Sequence, residues 1–238
     1  MDAATLRQMA ADRGLVLSDE QLAQFETYYE LLVEWNEKMN LTGITEKPQV
    51  YEKHFYDSIT PAFYYDFTEV GSVIDVGSGA GFPGIPLKIC FPALELTILD
   101  SLNKRLVFLQ EVVNQLGLTH VSFVHSRAED AGRDKKYREQ FDIATARAVA
   151  RMNVLAELCM PFVKPGGSFL VMKGSNVEEE LTEGKKAIKV LGGKTEKVET
   201  FDLPEEQSER NIVMIRKQQK TPGTYPRKAG TPSKKPII

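Results

Sequence analysis

Three glycines, Gly77, Gly79 and Gly81, follow directly on the apolar, β-branched run Val73-Ile74-Asp75-Val76. A buried strand feeding a tight turn reads this way, and glycine at alternate positions removes the Cβ atoms that would hold a ligand off the backbone. A helix should open just beyond, since Pro83 and Pro86 suit a first turn, and its free N–H groups would lie beside the loop. A carboxylate stands at a telling distance. Asp100 closes the run Leu94 to Leu99 and lies 19 residues beyond Gly81. At the end of a neighbouring parallel strand it could accept both hydroxyls of a ribose, a requirement that NAD and S-adenosylmethionine share on such sheets. Its competing use is local, because Asp100 or Ser101 could cap the helix running from Lys104 to Leu116.

The loop alone leaves the cofactor open. A dinucleotide fingerprint counted from Gly77 needs a sixth-position glycine and finds Phe82, while the match at Gly79, Gly81 and Gly84 starts three residues late. Read from Asp75, D-V-G-S-G-A-G resembles the first motif of class I S-adenosylmethionine-dependent methyltransferases, with an acid two residues before a G-x-G-x-G loop. NAD and a purely structural glycine turn stand as alternatives at this point.

The elements that must carry these residues follow from periodicity. Leu6, Met9, Ala10 and Arg13 form a weak first helix that Gly14 stops. Ser18 and Gln21 then make a capping box for a stronger one, apolar on one side from Leu22 to Met39 and closed by Asn40-Leu41-Thr42-Gly43. That face is expected to pack on the main domain. Val50 to Phe67 reads as another helix; its His54 could act near a site, though a lone histidine among aromatics is more often a hydrogen-bonded structural residue, and Asp57 could orient it or cap. Strands are expected at Val121–His125 and Phe141–Ala146, then at Ser168–Met172 after a turn over Val163–Gly167. A charged helix from Asn176 to Leu191 precedes two strands, Thr195–Leu203 and Asn211–Arg216, which pair antiparallel for want of a helix between them. The sum is an α/β chain with a seven-stranded, mostly parallel sheet. Its expected divisions are an N-terminal helical extension over 1–67, a core over 68–217 and a basic tail over 218–238.

Composition bounds the rest. The 238 residues carry a net charge of −3, but eight Lys or Arg and no acid follow from Arg210 onward, so the first 209 residues carry −11. The tail, including Arg227 and Lys228, is thus the part a polyanion would find; its four prolines and two glycines argue against a helix. Cys90 and Cys159 sit in apolar surroundings without metal-ligand spacing, so no metal is expected. No membrane-span-length apolar run or signal-peptide core is visible, and a cytoplasmic protein is expected.

If the cofactor is S-adenosylmethionine, the fourth strand tip sorts the target atoms. Methylating an exocyclic amine usually calls for Asn/Asp-Pro-Pro-aromatic, where this chain has Ala144-Thr145-Ala146-Arg147. Methylating a pyrimidine carbon needs an activated cysteine, and neither cysteine lies at a strand tip. A ring nitrogen with a free lone pair, such as guanine N7, needs only positioning, with cations donating to O6. Lys104, Arg127, Arg147 and Lys173 all fall at or just past strand ends.

Beyond single motifs, the chain resembles the ribosomal RNA small subunit methyltransferase G family, also called glucose-inhibited division protein B, over essentially its whole length. HFYDS (54–58), DVGSGAGFPGIPL (75–87), LDSLNKR (99–105), HSRAED (125–130), ARA (146–148), MKG (172–174) and YPRKAGTPSKKPI (225–237) carry the resemblance. It implies a class I methyltransferase, Rossmann-like fold and N7 methylation of one guanine in the 530-loop region of 16S rRNA, with S-adenosylmethionine as donor. Gly77, Phe82, Ala128, Glu129 and Arg147 match the family's cofactor contacts, and Gly79, Gly81, Asp100 and Ser101 complete the expected set. Lys104, Arg127, Arg147 and Lys173 match its substrate face, to which the tail adds Arg227 and Lys228; Arg127 and Arg147 are expected to position the base, with no general base. The expected partner is 16S rRNA, free or in an assembling small-subunit particle, and the chain is expected to act as a monomer. An NAD-dependent dehydrogenase and an RNA-binding module with a vestigial cofactor pocket are the competing readings.

Overall fold

A computed structural model describes residues 1–147 and 150–238, so Ala148, the last residue of the 146–148 motif, lies outside the described residues. Seven strands form one sheet in the order β3-β2-β1-β4-β5-β7-β6. They are β1 (Ser72–Val76), β2 (Glu95–Asp100), β3 (Val121–His125), β4 (Phe141–Arg147), β5 (Val163–Lys173), β6 (Gly193–Asp202) and β7 (Glu209–Lys217). The first five run parallel and the β6–β7 pair antiparallel, as their connections require. The order reverses between β1 and β4, which places the glycine loop and Arg147 at the crevice where open α/β sheets bind ligands.

Alternation along the strands divides the core. Val73, Leu96, Leu170, Ile212 and Met214 face one side, Ile74, Leu99, Phe169, Val171, Val213 and Ile215 the other. Over the first side lie α1 (Ala3–Ala11), α2 (Asp19–Met39), α5 (Gly84–Cys90) and α6 (Asn103–Gln115). Phe25 and Leu32 of α2 are buried there, as the helical periodicity anticipated, while Tyr28 rather than its neighbour Tyr29 is the fully buried tyrosine; Ser18 and Gln21 form the expected capping box. The second side is covered by α7 (Ala128–Ala131), α8 (Met152–Cys159) and α9 (Val177–Val190). Among the described residues no helix is long and apolar enough to cross a membrane.

Three local expectations need correction. The segment 50–67 is not one helix. It breaks into α3 (Lys47–Val50), a π-helical turn (Tyr51–Tyr56), α4 (Asp57–Ile59) and a 3-10 turn (Thr60–Phe63). The π-helical turn is held from outside, where Glu52 Oε1 accepts the Glu205 and Glu206 N–H groups of the β6–β7 turn at 2.6 and 2.9 Å. Residues 163–167 belong to β5 rather than to a turn before it, with an irregular register against β4 between Phe141 and Ile143.

The tail, finally, contains a short helix, α10 (Thr231–Lys234), because Pro232 falls in its first turn, where no N–H is needed. It also packs on the domain. The Arg138 guanidinium donates to the carbonyls of Thr221, Pro222 and Tyr225, Arg133 donates to that of Pro226, and Ile237 is buried in the second core.

Candidate active site

The loop after β1 is shaped by what surrounds it. Gly77, Gly79 and Gly81 all have positive φ (70°, 63° and 102°), which explains glycine at each. They serve different ends. A Cβ on Gly79 would meet nothing within 4 Å, so this position looks out on open space, whereas one on Gly81 would run into Tyr28, Leu109 and Ile85. The side of Gly81 where a Cβ would stand therefore faces the core. Under the loop, Asp75 is fully buried and its Oδ2 accepts the Ser78 hydroxyl at 2.6 Å and the Gly84 N–H at 2.9 Å. Burial pushes its carboxyl up to about 6, against these two bonds and the nearby Arg147 charge.

A hollow of about 420 Å³ opens over this loop, lined by Gly77, Ser78, Gly79, Ala80 and Phe82, by Asp100, Ser101 and Arg105, by Leu41 and Thr42, and by His54 and Arg147. That volume suits a small ligand. At its floor Asp100, 1% exposed, takes the Gly79 N–H at 3.0 Å and the Leu102 N–H at 2.8 Å, with Arg105 a looser 3.4 Å away. The capping expectation is met only in part, since α6 starts after Leu102 with no side-chain cap of its own.

His54 and Arg147 form one wall. The imidazole stacks on Phe82 at 4.6 Å, the guanidinium lies 4.9 Å from the same ring, and His54 Nδ1 is 3.3 Å from Arg147. Arg147 also donates to the Lys53 carbonyl at 3.0 Å and to Asp57 at 3.1 Å. Burial and the Arg147 charge push His54 down to about 4, so it is neutral at pH 7, with Nε2 2.8 Å from the Thr42 hydroxyl. Asp57 is buried between two cations, Arg147 and the Arg210 guanidinium, whose Nε is 3.4 Å from Oδ1. Burial raises the Asp57 carboxyl and both arginines oppose it.

On the far side of that wall a second hollow of about 580 Å³ shares His54 and Arg147 and adds Lys53, Asp57, Arg151, Met172, Lys173, Glu180 and Arg210. Its cations outnumber its acids, which suits an electron-rich or phosphate-bearing group.

The structure thus brings Gly77, Gly79, Phe82, Asp100, Ser101 and Arg147 to one hollow, and Lys173 to its neighbour. Lys173 is already engaged by the Ala150 carbonyl at 2.5 Å and Glu180 at 2.6 Å. Lys104 and Arg127 are exposed beside the strand ends. Ala128 and Glu129 are buried off the first hollow, and Glu129 Oε1 accepts the Gly230 N–H at 2.8 Å. The expectation for Arg227 as a free RNA contact does not fit. Its guanidinium is locked onto Glu157, which is wholly buried, at 2.6 to 3.2 Å. Lys228 remains exposed. From the sequence a structural role for His54 stands ahead of one at the site, Asp57 is an orienting or capping group, and Arg210 is passed over; the HFYDS motif is the available signal for the first two, and nothing local marks Arg210.

A family model for rRNA small subunit methyltransferase G (GidB) matches residues 21–213. The chain belongs to this family. Members named ribosomal RNA small subunit methyltransferase G are 62% identical over 231 residues in Brevibacillus brevis, covering 97% of each chain, and 60% identical over 237 residues in a Geobacillus strain, covering all of both. Membership in the methyltransferase G family sets aside the dehydrogenase alternative. Solved structures agree on the class I methyltransferase fold. A precorrin-6y C5,15-methyltransferase from Geobacter metallireducens superposes with a TM-score of 0.53 at 14% identity, covering 74% of this chain and 90% of that one. A SAM-dependent O-methyltransferase from Thermotoga maritima gives 0.52 at 14% identity, covering 79% and 72%.

Proposed function

We propose that the protein, acting as a monomer, transfers a methyl group from S-adenosylmethionine to N7 of a guanine in the 530-loop region of 16S rRNA. The observation that carries this reading is the pair of hollows meeting at the His54–Arg147 wall, one furnished for an adenosyl group and the other cationic. The residues present fit the donor: the open space over Gly79 admits a ligand against the backbone, and Asp100 is a buried carboxylate at the β2 tip. Its two oxygens offer about four acceptor sites, and Arg105, the longest of its donors at 3.4 Å, is the one that can yield to a ribose hydroxyl.

S-adenosylmethionine would supply a methyl carbon activated by its bond to a positive sulfur. The chain's part is then orientation. Guanine N7 has a free lone pair and no proton to lose, so no general base is required. The wall is in keeping with this, because Arg147 can only donate and the neutral His54 is occupied by Thr42 and Arg147. Arg147, Lys53 and Arg210 line the second hollow, where a cation can donate to guanine O6. Arg127 and Lys104 are exposed and line neither hollow, so the base-positioning role expected for Arg127 passes to Arg147, and both would meet the RNA backbone instead.

The test is to map N7-methylguanine in 16S rRNA from cells with and without this protein, and to restore it with the purified chain and S-adenosylmethionine. An unchanged map would remove the assignment. RNA binding without restoration, in a chain that also fails to bind S-adenosylhomocysteine, would leave only a binding module.

A further inference from the structure

We propose that the hydroxyl of Tyr28, on helix α2 of the N-terminal extension, is a positioning group for the donor-binding loop, so that the extension forms part of the cofactor site. The inference rests on the donor assignment made above. Tyr28 is fully buried, and its hydroxyl donates to the Ala80 carbonyl at 2.5 Å. Ala80 lines the first hollow, one residue beyond Gly79. The ring of Tyr28 packs against Phe55 at 5.3 Å and Phe82 at 5.5 Å in a three-ring cluster, and Phe82 is the residue on which His54 and Arg147 rest.

Among the described residues three side chains pin the loop. Asp75 takes the Ser78 hydroxyl, Asp100 takes the Gly79 N–H, and Tyr28 holds the Ala80 carbonyl. The first two belong to the β1 and β2 strands that any protein of this fold needs. Tyr28 alone comes from outside the sheet and its crossovers. Gly81 is fitted to it: with φ +102° and no Cβ, it leaves the space that the tyrosine hydroxyl fills. The third glycine of the loop therefore serves the tyrosine, and the tyrosine serves the loop. Burial also holds the Tyr28 phenol well above its ordinary range, so it stays a donor at any working pH.

Removing the hydroxyl while keeping the ring separates positioning from packing. In Tyr28→Phe both aromatic stacks survive, but the Ala80 carbonyl loses its buried donor and the loop is free to turn away from its binding geometry. Calorimetric titration of the full chain with S-adenosylhomocysteine at 25 °C is expected to show affinity weaker by about tenfold, on the scale of one hydrogen bond. Hydrogen exchange without ligand should quicken at the Gly81 and Phe82 amides, both of which now donate to the Ser78 carbonyl. Phe55→Leu, which loosens the packing on the same ring but keeps the hydroxyl, is the companion variant: its melting temperature should fall while its affinity stays within about twofold of the wild type, and an equal loss of affinity there would assign the effect to packing. A purely packing role would lower the melting temperature and leave the affinity of the folded protein within twofold of the wild type, and that result overturns the inference. If the wild-type chain itself fails to bind S-adenosylhomocysteine, the donor assignment falls and takes this inference with it.

Discussion

Substituting Arg227 by alanine distinguishes a tail that hangs free for RNA from one that is part of the fold. Glu157 is 0% exposed, and its carboxylate receives the Arg227 side chain through Nε at 2.9 Å and the terminal nitrogen at 2.6 Å, besides the Arg227 backbone N–H at 2.8 Å. Loss of the guanidinium leaves a buried carboxylate with a single backbone donor. Stripping one partner from such a pair costs roughly 3–5 kcal/mol, and the surviving N–H bond argues for the lower end, about 3 kcal/mol. For a chain of this size that corresponds to a melting temperature lower by about 6–12 °C. The assay is urea and thermal unfolding of Arg227→Ala, Glu157→Leu and the double variant. The double should recover much of the loss, because replacing both members of a buried pair by apolar groups is often near neutral. If Arg227→Ala unfolds within about 0.5 kcal/mol of the wild type, as a surface change does, the clamp has no energetic content and the tail is an arm after all.

Other outcomes follow from the same geometry. His54 sits at about 4 when folded, pushed down by burial and by Arg147, against 6.5 when unfolded. The unfolded chain takes up a proton the folded one refuses, so stability is full above pH 6.5 and declines as pH falls toward 4, by up to about 3 kcal/mol. Asp75, raised from 3.8 to about 6, acts in the opposite sense, favouring the fold at low pH and losing that effect as pH rises through 6. The difference between wild type and His54→Gln isolates the imidazole; parallel stability-pH curves would contradict its burial in neutral form. Gly79→Arg, which fills the open space at a positive-φ position, should abolish the thermal stabilisation given by S-adenosylhomocysteine while the chain still unfolds cooperatively. Retained stabilisation would show that nothing binds over this loop. Lys228 and Lys234 are exposed on the packed tail; replacing both by serine should leave the melting temperature unchanged and reduce the salt slope of RNA binding by about 1.4, for two phosphate contacts on a single strand. An unchanged slope would show that these lysines are merely solvated.

What the sequence made legible was whatever is local or evenly spaced. The strand, the glycine loop and Asp100 lie within about thirty residues, and their roles follow from strand period and turn chemistry. The Ser18–Gln21 capping box is equally local. The fates of the individual glycines and cations were not legible. Gly79 and Gly81 look alike in the chain, and the arrival of Tyr28 from 53 positions earlier, with Leu109 and Ile85 beside it, makes one a floor and the other a packing gap. Arg227 reads as a free cation because its partner lies 70 residues upstream on an unrelated helix. The break of the 50–67 segment into a π-helical turn was also hidden, since Glu52 is held by a hairpin turn about 150 residues away.

The clamp between the tail and α8 has a temporal side. Glu157 is made 70 residues before Arg227, and Glu129 is made 101 residues before Gly230. At the roughly 5–20 residues per second of synthesis, these carboxylates wait for about 4–20 s with no counterpart. Through that interval the α7–α8 side of the growing chain has a charge it cannot comfortably bury, so this flank closes last. A chain cut short before residue 227 would leave Glu157 and Glu129 without these donors, and that flank is where its local unfolding is expected to concentrate.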